Sequence, residues 1–362
     1  VILTGIQFVS AQVFTEITLT NMYDDNVNNS VDRLESNILR MDLSGGYSIE
    51  GERNGLDLSY NGSFSYYQSV LSRTNQFHSA DLLYTNLSGD DDENRFRLGA
   101  SYGAGVNRDL NSIFDHSLLS ASADYKYFLS ERFIHTVAYS FRSVQFPSLT
   151  DFSYSEHALM TNGAVAVTGT TTAILQLDLG TKFYATGMSG SSSSMRKGVM
   201  SSILPSVTQL TGMMKVGQGI TDQIGISLSA RYQWNIQKQT RYLSSDYGYI
   251  SDDELFDDHY GYQGLHTAVQ YTQLISETLT GKITGGIQNR EYSSLAAYDM
   301  QGNLTSSQRN DVRSYLNFLV KKDIPSLGVT VKTSVDLIDN TSNDAYYDYK
   351  NTAVSVELSL PF

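Results

Sequence analysis

The chain has 362 residues, a formal net charge of −13 and no cysteine. So acidic a balance argues against nucleic acid, whose phosphates need a Lys/Arg surface, and the absence of thiols excludes disulfides, thiolate metal centres and CxxCH haem attachment. Hydrophobic residues make up 40% of the chain, yet no apolar run reaches the roughly 18 residues of a membrane helix. The 25 tyrosines against 4 prolines favour many long strands with aromatic residues at interfaces.

Residues 1–11 read as the tail of a signal peptide, with apolar Val1, Ile2, Leu3, Ile6 and Phe8, then Val9 and Ala11 in the cleavage-site positions. The mature chain is then expected from Gln12, and with no initiator Met or basic n-region the expectation is a start inside a longer precursor; a short N-terminal strand or plug segment is the alternative. Residues 12–362 are expected to form one domain, a transmembrane antiparallel up-and-down β-barrel.

In chain order, long polar connections fall at 24–37, 72–76, 108–116, 145–156, 187–202, 243–260, 292–310 and 339–349. Tight turns alternate with them at 52–55, 89–94, 130–132, 169–172, 219–222, 276–278 and 323–328. Eight loops and seven turns join sixteen strands, with fourteen or eighteen as alternatives because the stretches 78–87, 158–167 and 204–216 carry weak patterns, the last broken by Pro205. The other segments show the period of two clearly. Phe96, Leu98, Ala100, Tyr102, Ala104 and Val106 oppose Arg97, Ser101 and three glycines; Ala173, Leu175, Leu177, Leu179 and Phe183 oppose Gln176, Asp178 and Lys182. Ile224, Ile226, Leu228, Ala230, Tyr232, Trp234 and Ile236 oppose Ser227, Ser229, Arg231, Gln233 and Asn235.

The last strand places Val354, Val356, Leu358, Leu360 and Phe362 on one face and Ser355, Glu357 and Ser359 on the other, and the sequence stops on the aromatic. This resembles the C-terminal signal strand of Gram-negative outer-membrane β-barrels of porin type. The resemblance implies that Leu358, Leu360 and Phe362 are read by the barrel-assembly machinery. It also implies that both termini are periplasmic, that the short turns are periplasmic, and that the long loops face outward among lipopolysaccharide.

Sorting charges by strand parity puts Arg40, Arg97, Lys126, Arg142, Lys182, Arg231, Lys282, Arg290, Arg313 and Lys332 on the inner wall, with Glu16, Asp42, Asp57, Asp124, Asp178, Asp336 and Glu357. Ten bases against seven acids give a slightly positive pore lining that favours anions; the competing expectation is that these charges pair across neighbouring strands and simply hold the wall. Asp246, Asp252, Asp253, Glu254, Asp257 and Asp258 gather in one outer loop, a weak candidate for Ca²⁺ or Mg²⁺ with no EF-hand spacing. Asp90, Asp91, Asp92 and Glu93 read as a solvated turn.

No phosphate loop or GxSxG elbow is present. The His–Asp neighbours, Asp257, Asp258 and His259 or Asp115 and His116, are poor evidence for a catalytic site, because adjacent strand side chains point to opposite faces. The expectation is therefore no enzyme and no cofactor. A barrel of this strand number encloses more space than its wall fills, so a porin-like channel for passive diffusion of small hydrophilic solutes or ions leads, as a monomer or homo-trimer. A barrel of a dedicated export or envelope complex is the alternative: an exopolysaccharide exit pore, or a sheath for a separate electron-transfer partner. The stretch NMYDDNVNN at 21–29 is similar to the opening of barrels attached to exopolysaccharide secretion modules. A structural surface barrel, with Tyr346, Tyr347 and Tyr349 as contacts, is the third class.

Overall fold

The computed structural model describes residues 8–89, 93–185, 206–238 and 258–362. Its strands in chain order are β1 (Phe8–Asp24), β2 (Ser36–Gly51), β3 (Asn54–Tyr67), β4 (Asn75–Ser88), β5 (Asn94–Asn107), β6 (His116–Ser130), β7 (Phe133–Gln145) and β8 (Tyr154–Ala166). They continue with β9 (Thr171–Tyr184), β10 (Ser206–Thr221), β11 (Ile224–Lys238), β12 (Tyr262–Ser276), β13 (Leu279–Tyr298), β14 (Leu304–Ile324), β15 (Val329–Ser342) and β16 (Tyr349–Pro361). Every strand pairs antiparallel with its sequence neighbours, and β1 closes on β16 from Glu16↔Pro361 to Asp24↔Ala353. The Phe362 N–H extends that seam by donating to the Thr15 carbonyl at 2.8 Å.

The sixteen-strand expectation therefore holds, and the three weakly patterned stretches are β4, β8 and β10. Two differences concern strand limits. β1 starts at Phe8, so the end of the stretch read as a signal remnant is paired: Ser10 faces Glu50 and Ala11 faces Ile49. The connection expected at 292–310 is instead a projecting hairpin, because β13 runs to Tyr298 and β14 starts at Leu304. Its tip is set by Asp299, whose carboxylate accepts from the Gln301 and Asn303 N–H groups, and by Gly302 at φ 75°. Those bonds hold the Asp299 carboxyl below its usual range, the Asn303 backbone bond being the largest cause. Turn chemistry here overrides the polar composition that suggested a loop.

Cross-strand partners share a face, so the register divides the wall. One set is apolar and exposed: Leu19 faces Leu358 and Met41, and Leu175, Leu177 and Leu228 stand 63%, 53% and 51% exposed. A large exposed apolar band on a closed barrel is a lipid-facing surface. The opposite set is polar, as in the row Arg231, His266, Gln288, Arg313 and Asn340 across β11 to β15.

Tyr–His pairs border the apolar band. Toward the long-loop end, Tyr60 meets His78 at 2.6 Å and Tyr139 meets His157 at 2.7 Å, beside Phe141 and Phe183. Toward the short-turn end, Tyr127 meets His135 at 2.7 Å, beside Phe133. Rings with one apolar body and one polar tip suit the two membrane–water boundaries.

Buried apolar side chains gather at the long-loop end of the bore. Phe114, Val144, Phe146, Tyr154 and Tyr184 form one cluster, and Val27, Ile38 and Tyr67 a second. The loops supplying Phe114, Phe146 and Val27 thus pack against the wall. The split of faces predicts that Leu177→Arg, on the lipid side near the middle of β9, destabilises the barrel in lipid vesicles by about 2–4 kcal/mol. Gln176→Arg, one residue away on the lumen side, should leave the denaturant midpoint nearly unchanged.

Candidate functional site

The chain entering β12 lies across the inside of the wall. Residues 258–262, which lead into the first residue of β12, touch inward side chains of β8, β9, β10 and β11. A tight turn starts the segment: Asp258 accepts from the Tyr260 N–H through its side chain and from the Gly261 N–H through its carbonyl.

The strongest tie is an ion pair. Lys182 Nζ donates to Asp258 Oδ2 at 2.6 Å, and each side chain is 1% exposed. Removing both charges from water is costly, so the pair persists only with further partners. The ammonium finds them in three rings, lying 3.8 Å from the Tyr154 centroid, 5.7 Å from Tyr184 and 5.9 Å from Tyr260.

Tyr260 fixes the segment against the next strand. Burial, followed by the charge of Glu156, pushes its phenol above the ordinary range, so it stays protonated and donates to Glu156 Oε1 at 2.7 Å. Glu156 Oε2 in turn accepts from Arg142 at 2.8 Å. The ring needs a glycine beneath it: a Cβ at Gly180 would stand 2.1 Å from the Tyr260 hydroxyl. Side-chain amides complete the seat, with Gln209 donating to the His259 and Tyr262 carbonyls and Asn235 to the Tyr260 carbonyl. The exit into β12 uses Gly264 at φ 153°, where a Cβ would lie 2.0 Å from the Asn289 carbonyl oxygen.

Beside this segment is a cavity of about 420 Å³ lined by Glu156, Asp178, Gln209, Arg231, His259 and His266 among others. Cation–ring contacts continue around the rim, from Arg290 over Tyr262 to Arg309 held between Tyr292 and Tyr347. Tyr347, expected as a surface contact, is thereby engaged within the barrel end.

Several charges expected to line the pore are committed to each other. Arg40 pairs with Asp42, Arg97 with Asp124, Lys332 with Glu357, and Arg142 and Lys182 are tied as described. Arg290 donates to Gln288, Asp57 accepts from Ser48, and Asp336 accepts from Asn317. Among the described residues, Lys126, Arg231, Lys282 and Arg313 have no ion-pair partner, and Asp178 is held by Gln176 alone. Wall charges that parity sorting missed are Arg95 opposite Lys126, Asp81, Glu156, Lys215 and Asp311. Asp81 and Lys215 sit on weakly patterned strands, and Glu156 and Asp311 border stretches expected to be loops.

Of the acidic loop proposed for a divalent cation, Asp246, Asp252, Asp253, Glu254 and Asp257 lie outside the described residues, and Asp258 is bound to Lys182. Asp90, Asp91 and Asp92 and the 187–202 loop also lie outside them. Asp115 accepts from Asn107, and His116 packs against Phe77 and Phe146.

Residues 222–362, less than half of the chain, match a family described as surface lipoprotein assembly modifier. No curated protein sequence matches. Among solved structures, the chain is similar to the outer membrane protein OpdK of Pseudomonas aeruginosa, at 12% identity and TM-score 0.53 over 97% of this chain and 99% of that one. It is also similar to Acinetobacter baumannii OccAB3, at 11% identity and TM-score 0.52 over 97% and 100%. A third is Pseudomonas aeruginosa OccK2 (OpdF) in complex with glucuronate, at 12% identity and TM-score 0.50 over 97% and 98%. At these identities the likeness concerns the fold alone, a closed antiparallel barrel.

Removing one partner of a buried pair strands the other charge, at about 3–5 kcal/mol. Lys182→Met should therefore release residues 258–262 locally while the barrel stays folded. Amide hydrogen exchange of that segment should accelerate roughly a hundredfold or more, and Lys182→Met combined with Asp258→Leu should recover much of the protection.

Proposed function

We propose that the protein is an outer-membrane channel for passive diffusion of small hydrophilic solutes or ions, narrowed by residues 258–262. The observation that carries this reading is a closed barrel with an apolar exterior and a polar bore, in which a chain segment is fastened to the inner wall beside a cavity of mixed polar and apolar lining. A hydrated solute would follow its gradient along the wall, and no chemical step is required. Pairing of most wall charges leaves the field to the few unpaired ones, chiefly Arg231 and Arg313, so selectivity should be set locally.

In this reading both termini and the short turns are periplasmic, and the long loops lie among lipopolysaccharide. Leu358, Leu360 and Phe362 serve the assembly machinery. Phe362 suits that role because its side chain is 73% exposed and contributes little packing. Homo-trimerisation remains part of the proposal, the outer wall being the surface available to it.

The family match over residues 222–362 supports a second reading, a barrel that serves the assembly of surface lipoproteins. The two readings separate on conductance. Purified barrel in planar bilayers should give steady ohmic steps with weak ion selectivity, and Lys182→Met should enlarge them. A folded barrel that shows no conductance, and co-purifies with a lipoprotein, would sink the channel reading in favour of the second. Phe362→Ser should lower the amount of assembled barrel in cells while leaving unit conductance unchanged.

A further inference from the structure

We propose that the cavity beside residues 258–262 is a binding site for a small dipolar solute, which places its ammonium on Asp178 and its carboxylate on Arg231; this rests on the channel reading for the solute's route. The cavity brings together a base and an acid that the fold leaves uncommitted. Arg231 is exposed to the bore and has no ion pair among the described residues, and Asp178 accepts only from Gln176 Nε2, at 3.0 and 2.9 Å. The other carboxylate of the lining, Glu156, already receives Arg142 and Tyr260.

Register fixes how far apart the two groups stand. Asp178 faces Thr211 and Arg231 faces Met213, so one strand, β10, separates them with an offset of two residues. Two strand spacings and two residue rises put their backbones roughly 12 Å apart. The side chains narrow that gap without meeting, since no ion pair joins them. A solute whose charges are several bonds apart can span it, and Ala158 and Met160 supply an apolar stretch of lining for its methylenes.

Charge favours this class over the alternatives. A lone anion on Arg231 would sit near Asp178 and Glu156, and a lone cation on Asp178 would face Arg231. A solute carrying both charges satisfies both walls, with a bidentate carboxylate on the guanidinium.

The test uses γ-aminobutyrate, butyrate and ribitol as probes of current interruption by the full barrel in planar bilayers, and of equilibrium binding by calorimetry in detergent. γ-Aminobutyrate should interrupt the current and bind. Asp178→Asn and Arg231→Gln should each weaken both effects roughly tenfold or more, the loss expected for a hydrogen bond to a charged group. Butyrate should act more weakly, lose its effect in Arg231→Gln and gain in Asp178→Asn, which removes a repelling charge, and ribitol should do neither. Butyrate acting as strongly as γ-aminobutyrate, with no response to Asp178→Asn, would show an anion site and overturn the proposal. A barrel that conducts but neither binds nor is interrupted by γ-aminobutyrate would also overturn it. Binding of γ-aminobutyrate without conductance would uphold the site and overturn the channel instead.

Discussion

Everything in this molecule follows from the rule that a backbone in hydrocarbon must satisfy its own polar groups. An open sheet would expose two edges of unpaired N–H and C=O groups, so the first strand has to meet the last. The chain does this with nine consecutive residue pairs between β1 and β16, from Glu16↔Pro361 to Asp24↔Ala353. Closing sixteen strands in turn sets a bore wider than wall side chains can fill. The remaining space must hold water or more chain, and near the long-loop end it holds chain.

Placing chain there creates a second problem, because its carbonyls and N–H groups leave water as well. The sequence answers with three amides from two strands, β10 and β11. Gln209, Gln233 and Asn235 all donate to carbonyls of residues 259–262. Lys182 and Asp258 add a directional tie. A hydrophobic pair of similar volume would hold the segment at no lower stability, but greasy contacts slide. An ammonium caged by Tyr154, Tyr184 and Tyr260 accepts one carboxylate in one position. We read the ion pair as fixing register more than adding strength. The same logic runs along the wall, where Arg40–Asp42, Arg97–Asp124 and Lys332–Glu357 cancel locally and a net excess of inward bases has little reach.

How much of this was legible in the sequence depends on whether a periodic force acted on the residue. Lipid on one side and water on the other impose a strict alternation, so the strands around Leu98, Leu177 and Leu228 could be read from side-chain order alone. The alternation fades where strands leave the membrane. Arg309 and Asp311 form a buried pair beyond the band, in a stretch whose polar composition suggested a loop. Glu156 was likewise assigned to a loop end. The Lys182–Asp258 contact had no sequence signal, because it joins residues 76 apart that share no repeat or motif. Only the tyrosines hinted at it: Tyr154, Tyr184 and Tyr260 each lie at the border of a polar connection, where a girdle was the simpler reading.

The boundary of the family match sharpens what the inward segment is for. The match begins at residue 222 and includes the whole of the 258–262 stretch, yet several of the groups that fasten it, Glu156, Gly180, Lys182 and Gln209, lie before that boundary, while Gln233 and Asn235 lie within it. The seating of this segment is therefore a property of the closed barrel, not of its C-terminal strands by themselves. A barrel passing an extended protein chain would need this segment to leave the wall, and leaving would expose a charge pair that is 1% accessible together with a ring cage built around it. A small solute needs no such movement, because the cavity beside the segment is already formed and already carries charged groups in its lining. A segment held this firmly is a fixed part of the wall, and that is the physical ground for preferring the proposed diffusion of small solutes over passage of an extended chain.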